Sequence, residues 1–126
     1  MNIKNQVLSI NQVQELQELG FDFKKYSSAC VIGAKDRNKY IVDKGLIVLH
    51  MGFMEIEVIE YHETLTIGDI IECLPEEIEE NVLNIFAFGE TWSVGWEGIQ
   101  YCGSNTLIDA LFEILKWCID EKHIKN

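Results

Sequence analysis

Five carboxylates fall within the ten residues from Glu72 to Asn81 (ECLPEEIEEN): Glu72, Glu76, Glu77, Glu79 and Glu80. Such a run can hold a cation, imitate a polyphosphate, or simply keep a turn in water. A calcium loop needs oxygen ligands at D-x-[DN]-x-[DN]-G spacing, with a glycine for its sharp turn, and the stretch lacks that pattern. We therefore expect no metal and no cofactor. The plain reading is a solvated turn or single helical turn, with Pro75 fixing its entry, Ile78 buried as an anchor and the carboxylates outward, where a helix start would favour them. The sharper reading is mimicry. If Glu55, Glu57, Glu60, Glu90 and Glu97 join the five on one face, their field would steer the protein onto a basic groove of a nucleic-acid enzyme.

Other reactive groups are scattered. A Cys–His nucleophile would need Cys30, Cys73 or Cys102 beside His50 or His62, with an acid to orient the base. His50 lies in an apolar run and reads as a core histidine, His62 as a surface one, and His123 sits near the chain end. No P-loop, GxGxxG, HExxH or GxSxG occurs, so no catalytic residue is expected. The four cysteines include no CxxC pair and sit beside apolar residues, as small buried thiols of a reducing compartment do. Trp92 and Trp96 are four apart, which on a regular strand puts both on one face. One of them is a candidate interface anchor, because aromatics dominate binding hot spots. Trp117 reads as core.

Charge narrows the partners. The chain carries a net charge of −11, and residues 45–115 hold fourteen carboxylates with no Lys or Arg. Phosphate binding runs on basic side chains and counterion release, so direct nucleic-acid binding is not expected. Anionic membrane surfaces are disfavoured for the same reason. The start of the chain, MNIKNQVLSI, lacks the apolar core of a signal peptide, and GLIVLHMGFM is too short to span a bilayer. A cytoplasmic protein is the expectation. At 126 residues and 48% apolar content the chain reads as one domain, residues 1–126.

The elements that must position these groups are legible in part. Ser9-Ile10-Asn11-Gln12 reads as a capping box opening a short helix through Val13, Leu16 and Leu19, closed by Gly20. Phe21 and Phe23 follow as anchors. ACVIGA and YIV read as strands either side of a polar turn, and GLIVLHMGFMEIEVIEYHE as one strand bent at Gly52 or as two. Thr66-Ile67-Gly68-Asp69 is a second capping box, for a short helix that Pro75 helps to end. Val82–Gly89, Trp92–Trp96 and IQYC read as a meander, with turns at Gly89-Glu90 and Glu97-Gly98. Thr106-Leu107-Ile108-Asp109 is a third box, opening a helix whose polar stripe is confined to Asp109, Glu113, Lys116 and Asp120. So wide an apolar surface must bury on a sheet and on something else besides, which keeps self-association open. The order α-β-β-β-α-β-β-β-α predicts an α+β fold. We expect an antiparallel sheet of five or six strands packed on an N-terminal helix, a short middle helix and a long C-terminal helix.

The segments LQELGFD, TLTIGDIIECLPEEI, WSVGW and LIDALFEILKWCI, in that order, resemble small uncharacterised proteins carried by phages, prophages and conjugative elements of gut bacteria. The likeness covers most of the chain, but its motifs are fold-forming rather than catalytic, and no functional residue is carried over. It implies an origin in a mobile element and a role in host takeover, counter-defence or element maintenance. The function expected is therefore a non-enzymatic protein-interaction module with a protein partner, itself a possible homo-oligomer. An acidic nucleic-acid mimic is the first alternative, and a small-ligand or nucleotide binder the second.

Overall fold

The computed structural model describes residues 6–34, 39–43 and 58–124. Helix α1 (Ile10–Glu18) begins at its capping box: Ser9 Oγ accepts from the Gln12 amide at 3.2 Å, and Gln12 Oε1 accepts from the Ser9 amide at 2.9 Å. Two orphan donors of the first turn are thereby satisfied. Ile10, Val13 and Leu16 form its buried face. A second helix, α2 (Phe23–Tyr26), follows at once as a single turn capped by Asp22, whose carboxylate accepts from the Lys24 amide at 3.1 Å. The sequence reading had only anchors here. Phe23 is buried, and Phe21 lies edge-on to it and stacked on Tyr26.

Strands β1 (Ala29–Ala34), β2 (Lys39–Asp43) and β3 (Val58–Thr64) form an antiparallel sheet in the order β2-β1-β3. Ala29, Cys30 and Val31 are all buried, so the first half of the central strand is covered on both faces. The apolar run GLIVLHMGFM, with His50, and the carboxylates Glu55 and Glu57 lie outside the described residues. The chain ahead of α1 is stitched to the end of β3. Leu8 N–H donates to the Leu65 carbonyl at 3.0 Å, Ile67 N–H to the Gln6 carbonyl at 3.2 Å, and the buried Thr64 hydroxyl to the Leu8 carbonyl at 2.9 Å.

Helix α3 (Ile67–Cys73) has the full second capping box. Asp69 Oδ2 accepts from the Thr66 amide and also from the amide and hydroxyl of Ser28, so the helix start is tied to the segment entering β1. Leu74 ends the helix at ψ 142°, the extended shape that Pro75 imposes on the residue before it.

The second sheet holds β4 (Glu77–Ile78), β5 (Asn81–Phe88), β6 (Thr91–Trp96) and β7 (Gln100–Ser104) in sequential antiparallel order. This is the expected meander with one short strand added. Gly89, at φ 63°, fills the first position of the two-residue turn between β5 and β6, and Gly98, at φ 75°, sits in the turn after β6. The α+β class holds, but the strands divide into two sheets, of three and four strands among the described residues, where one sheet was expected.

Helix α4 (Leu107–Asp120) buries Ile108, Ala110, Leu111, Phe112, Ile114, Leu115 and Cys118. They join one core with Val13 and Leu16 of α1, Ile70 and Cys73 of α3, and Val94 and Trp96 of β6. Its wide apolar surface is therefore spent on the second sheet and on two other helices of the same chain. Only half of the third capping box forms. Thr106 Oγ1 accepts from the Asp109 amide at 3.2 Å, but Asp109 Oδ1 accepts from Gln12 Nε2 at 2.8 Å. One glutamine thus caps α1 and clamps it to the start of α4. Lys116 reinforces the join, 3.0 Å from Glu15 of α1, and also lies 3.3 Å from Glu113 of its own helix. Burial alone would lower the Lys116 pKa, but the Glu15 and Glu113 carboxylates outweigh it and hold the value up. No helix among the described residues is long and apolar enough to cross a membrane.

Candidate functional site

Glu72 lies in the last turn of α3, and the rest of the acidic stretch forms a β-hairpin rather than a helical turn, so no helix start favours Glu76, Glu77, Glu79 or Glu80. Ile78 pairs with Asn81, leaving Glu79 and Glu80 as the two turn residues, both left-handed at φ 51° and 71°. Two positive φ angles in a two-residue loop describe a turn of the I′ kind, which normally calls for Asn-Gly because a side chain at φ > 0 crowds its own backbone. Asn81 Nδ2 bonds the Glu79 carbonyl at 3.2 Å. Glu72, Glu76, Glu77, Glu79 and Glu80 are all exposed while Ile78 is buried, the arrangement of a solvated turn on an apolar anchor.

Trp96 is what fastens this hairpin. It is fully buried, and its indole Nε1–H donates to the Pro75 carbonyl at 3.1 Å. It is a core residue and cannot serve as a surface anchor. Trp92 does share its face of β6, as the spacing required, and is half-buried against the same core. Trp117 lies between Trp96 and His123, at ring distances of 6.0 and 5.3 Å.

The exposed aromatics lie on the other face of the same sheet. Along β5, Leu83 and Ile85 turn toward the core, whereas Val82, Phe86 and Phe88 turn outward at 58%, 46% and 84% exposure. The register sets Asn84, Gly95 and Tyr101 in one row and Phe86, Ser93 and Gly103 in the next. Because the positions beside them are small, the Phe86 and Tyr101 rings meet edge to face across β6 at 5.7 Å. Gly95 is obligatory there, since a Cβ would collide with the Gln100 carbonyl oxygen. Asn84 Nδ2 reaches the Tyr101 hydroxyl at 3.3 Å.

Strands β5, β6 and β7 (NVLNIFAF, TWSVGW, QYCGS) contain no charged residue at all, in a chain that is 25% charged. Charge is confined to the margins. Glu77 stands opposite Val82, Glu79-Glu80 and Glu97 occupy the turns at one end, and Glu90 occupies the turn at the other. The result is an uncharged aromatic platform with an acidic rim. Glu55 and Glu57, which mimicry would enlist, lie outside the described residues.

Among the described residues the register does not bring Cys30 to His62, and any pairing with His50 lies outside them. In the β1–β3 register Cys30 stands opposite Glu63 and Val31 opposite His62, so Cys30 and His62 leave the sheet on opposite faces. Cys73 is buried in α3, and burial pushes the Cys118 thiol up to about 12. Cys102, partly exposed, is also raised by burial, against the lowering effect of a Gln100 contact. A raised thiol pKa withholds the thiolate that nucleophilic chemistry requires. Among the described residues no group of three or more His, Cys, Asp or Glu side chains is placed to hold a metal ion.

The aromatic platform was only partly readable beforehand. Phe86, Phe88 and Tyr101 were visible as aromatics, but β5 is apolar at nearly every position, so its alternation does not say which face is wet. No family model, curated protein or solved structure matches this chain.

Proposed function

We propose that this protein is a non-enzymatic interaction module that binds another protein through the outer face of the β5–β6–β7 sheet. The observation that carries this reading is the set of exposed rings, Phe86, Phe88 and Tyr101, on strands stripped of charge. Aromatic residues with charge excluded from the centre and polar groups at the rim are the anatomy of a binding patch. The partner suited to it has an apolar centre and a Lys/Arg margin that faces Glu77, Glu79, Glu80 and Glu97. The likeness to small mobile-element proteins supports a partner of host origin, and with it a role in host takeover, counter-defence or element maintenance. The free and mostly buried cysteines support a cytoplasmic site of action.

A second reading, the acidic mimic of nucleic acid, rests on the exposure of all five carboxylates and on the unusual Glu79-Glu80 turn. Salt separates the two, because screening weakens exposed charge pairs and leaves apolar burial intact. The tagged protein is incubated with a bacterial lysate at low and high salt, with and without competing DNA. A partner retained at high salt and indifferent to DNA supports the platform. A DNA-binding enzyme held only at low salt, and displaced by DNA, supports the mimic instead.

A further inference from the structure

Among the described residues the platform has an open side. Leu83 N–H donates to the Glu76 carbonyl at 2.8 Å, away from β6, so the alternate residues Ile85 and Ala87 direct their backbone N–H and C=O groups the same way. Strand β4 ends its cover there: it pairs only Glu77 with Val82 and Ile78 with Asn81. No described strand lies beside Asn84–Phe88 on that edge. Proteins normally guard such an edge with charge, proline, a bulge or a covering loop. This segment, NIFAF, carries no charge and no proline.

We infer that the β5 edge from Asn84 to Phe88 receives an extended strand from the partner, one with a short alternating apolar run and basic residues at both ends. Main-chain hydrogen bonds to Ile85 and Ala87 would extend the sheet, and alternate side chains of the incoming strand would lie beside Phe86 and Phe88. Charge selects the occupant. Both ends of the open edge are acidic, with Glu76, Glu77, Glu79 and Glu80 at one end and Glu90 beyond the other. A second copy of this chain is disfavoured by the same charges. Antiparallel pairing about Phe86 would bring Glu90 of one copy toward Glu76 of the other, and parallel pairing would align the Glu79-Glu80 turns. A strand with lysines or arginines at its ends meets opposite charge at both.

This inference rests on the docking role proposed for the sheet, and its test keeps the two apart. The probe is a short synthetic peptide with alternating valine and threonine at its centre and lysines at both ends. It is titrated into the full-length protein while backbone amides are followed by NMR. A control peptide with the same charges carries proline at its centre and cannot pair. The protein variant is Ala87→Pro, which removes an outward N–H from an edge position where proline is tolerated. We expect amide shifts centred on Ile85 and Ala87, and binding weakened about tenfold or more both by Ala87→Pro and in the control peptide. Should Ala87→Pro fail to fold, the control peptide alone decides. Equal binding of both peptides, shifts confined to the glutamates, or no binding at all would overturn the strand-pairing inference. Concentration-dependent shifts of Ile85 and Ala87 without peptide would overturn it in favour of self-pairing. Shifts confined to Phe86, Phe88 and Tyr101, undiminished by Ala87→Pro, would overturn it while leaving the docking face intact.

Discussion

The Glu79-Glu80 turn offers a perturbation whose sign follows from backbone geometry. Both residues hold left-handed φ angles, 51° and 71°, and neither is glycine or asparagine. The left-handed conformation costs an L-residue with a Cβ roughly 1–2 kcal/mol. Glycine removes that cost but gives back about 0.4–1 kcal/mol through its freer unfolded chain, and asparagine recovers part of it by tolerating the conformation. The double substitution Glu79→Asn/Glu80→Gly should therefore stabilise the protein by about 1 kcal/mol, or roughly 3–5 °C in Tm for a chain of this size. Urea unfolding followed by tryptophan fluorescence reads this directly, because Trp96 is bonded to Pro75 at the entry to the hairpin. The control is Glu79→Gln/Glu80→Gln, which removes the same two charges but keeps the strained backbone. It should gain only a few tenths of a kcal/mol, and less in high salt. If the Asn-Gly variant is no more stable than the Gln-Gln variant, backbone strain is not stored in this turn and the reasoning fails. A stabilised Asn-Gly variant that keeps its partner would also show that these carboxylates are rim rather than contact.

Four further outcomes follow from named contacts and from the thiols. Trp96→Phe keeps an aromatic ring in the core but leaves the Pro75 carbonyl without its donor, and should cost about 1–3 kcal/mol, with faster amide exchange at Leu83 as the hairpin loosens. Gly95→Ala forces a Cβ into the Gln100 carbonyl and should lower thermal stability by about 2 kcal/mol or more, with the β6–β7 pairing opening first; an unchanged melting curve would show that the backbones there are not so close. The thiols predict an alkaline limb. Cys118 ionises at about 12 in the folded state against 9.0 for an unperturbed thiol, so its protonated form contributes stability that is fully present below pH 9.0 and is lost as pH rises toward 12. Urea midpoints should fall over that range, and less steeply in Cys118→Ala. At pH 8 iodoacetamide should label the native protein at Cys102 before Cys30, Cys73 or Cys118, which are fully buried, as mass spectrometry would read.

How far the sequence carried the fold depended on how local each signal was. The first two capping boxes were written in four consecutive residues each and formed as read. The third was half right, because Asp109 bonds Gln12, ninety-seven positions away, and no local pattern records such a partner. Helix α2 was missed because four residues are too few to show a 3.6-residue period. The β4–β5 hairpin was missed because its turn carries Glu-Glu where Asn-Gly would have announced it. Division into two sheets is a matter of long-range pairing, as when β3 returns to β1, which composition cannot encode. At the site, the spacing of Trp92 and Trp96 gave their shared face correctly, while the direction of that face, inward, was decided by α4. The same choice turned Phe86, Phe88 and Tyr101 outward.

On the function proposed above, the uncharged outer face of the second sheet, rather than the acidic turn, holds the partner. This is tested most directly by comparing three forms of the tagged protein in one high-salt lysate capture, after confirming that each folds: the wild type, Phe86→Ser/Phe88→Ser and Glu79→Gln/Glu80→Gln. One and the same partner should be captured by the wild type and by the glutamine variant and lost from the serine variant. Retention by the serine variant with loss from the glutamine variant would contradict it.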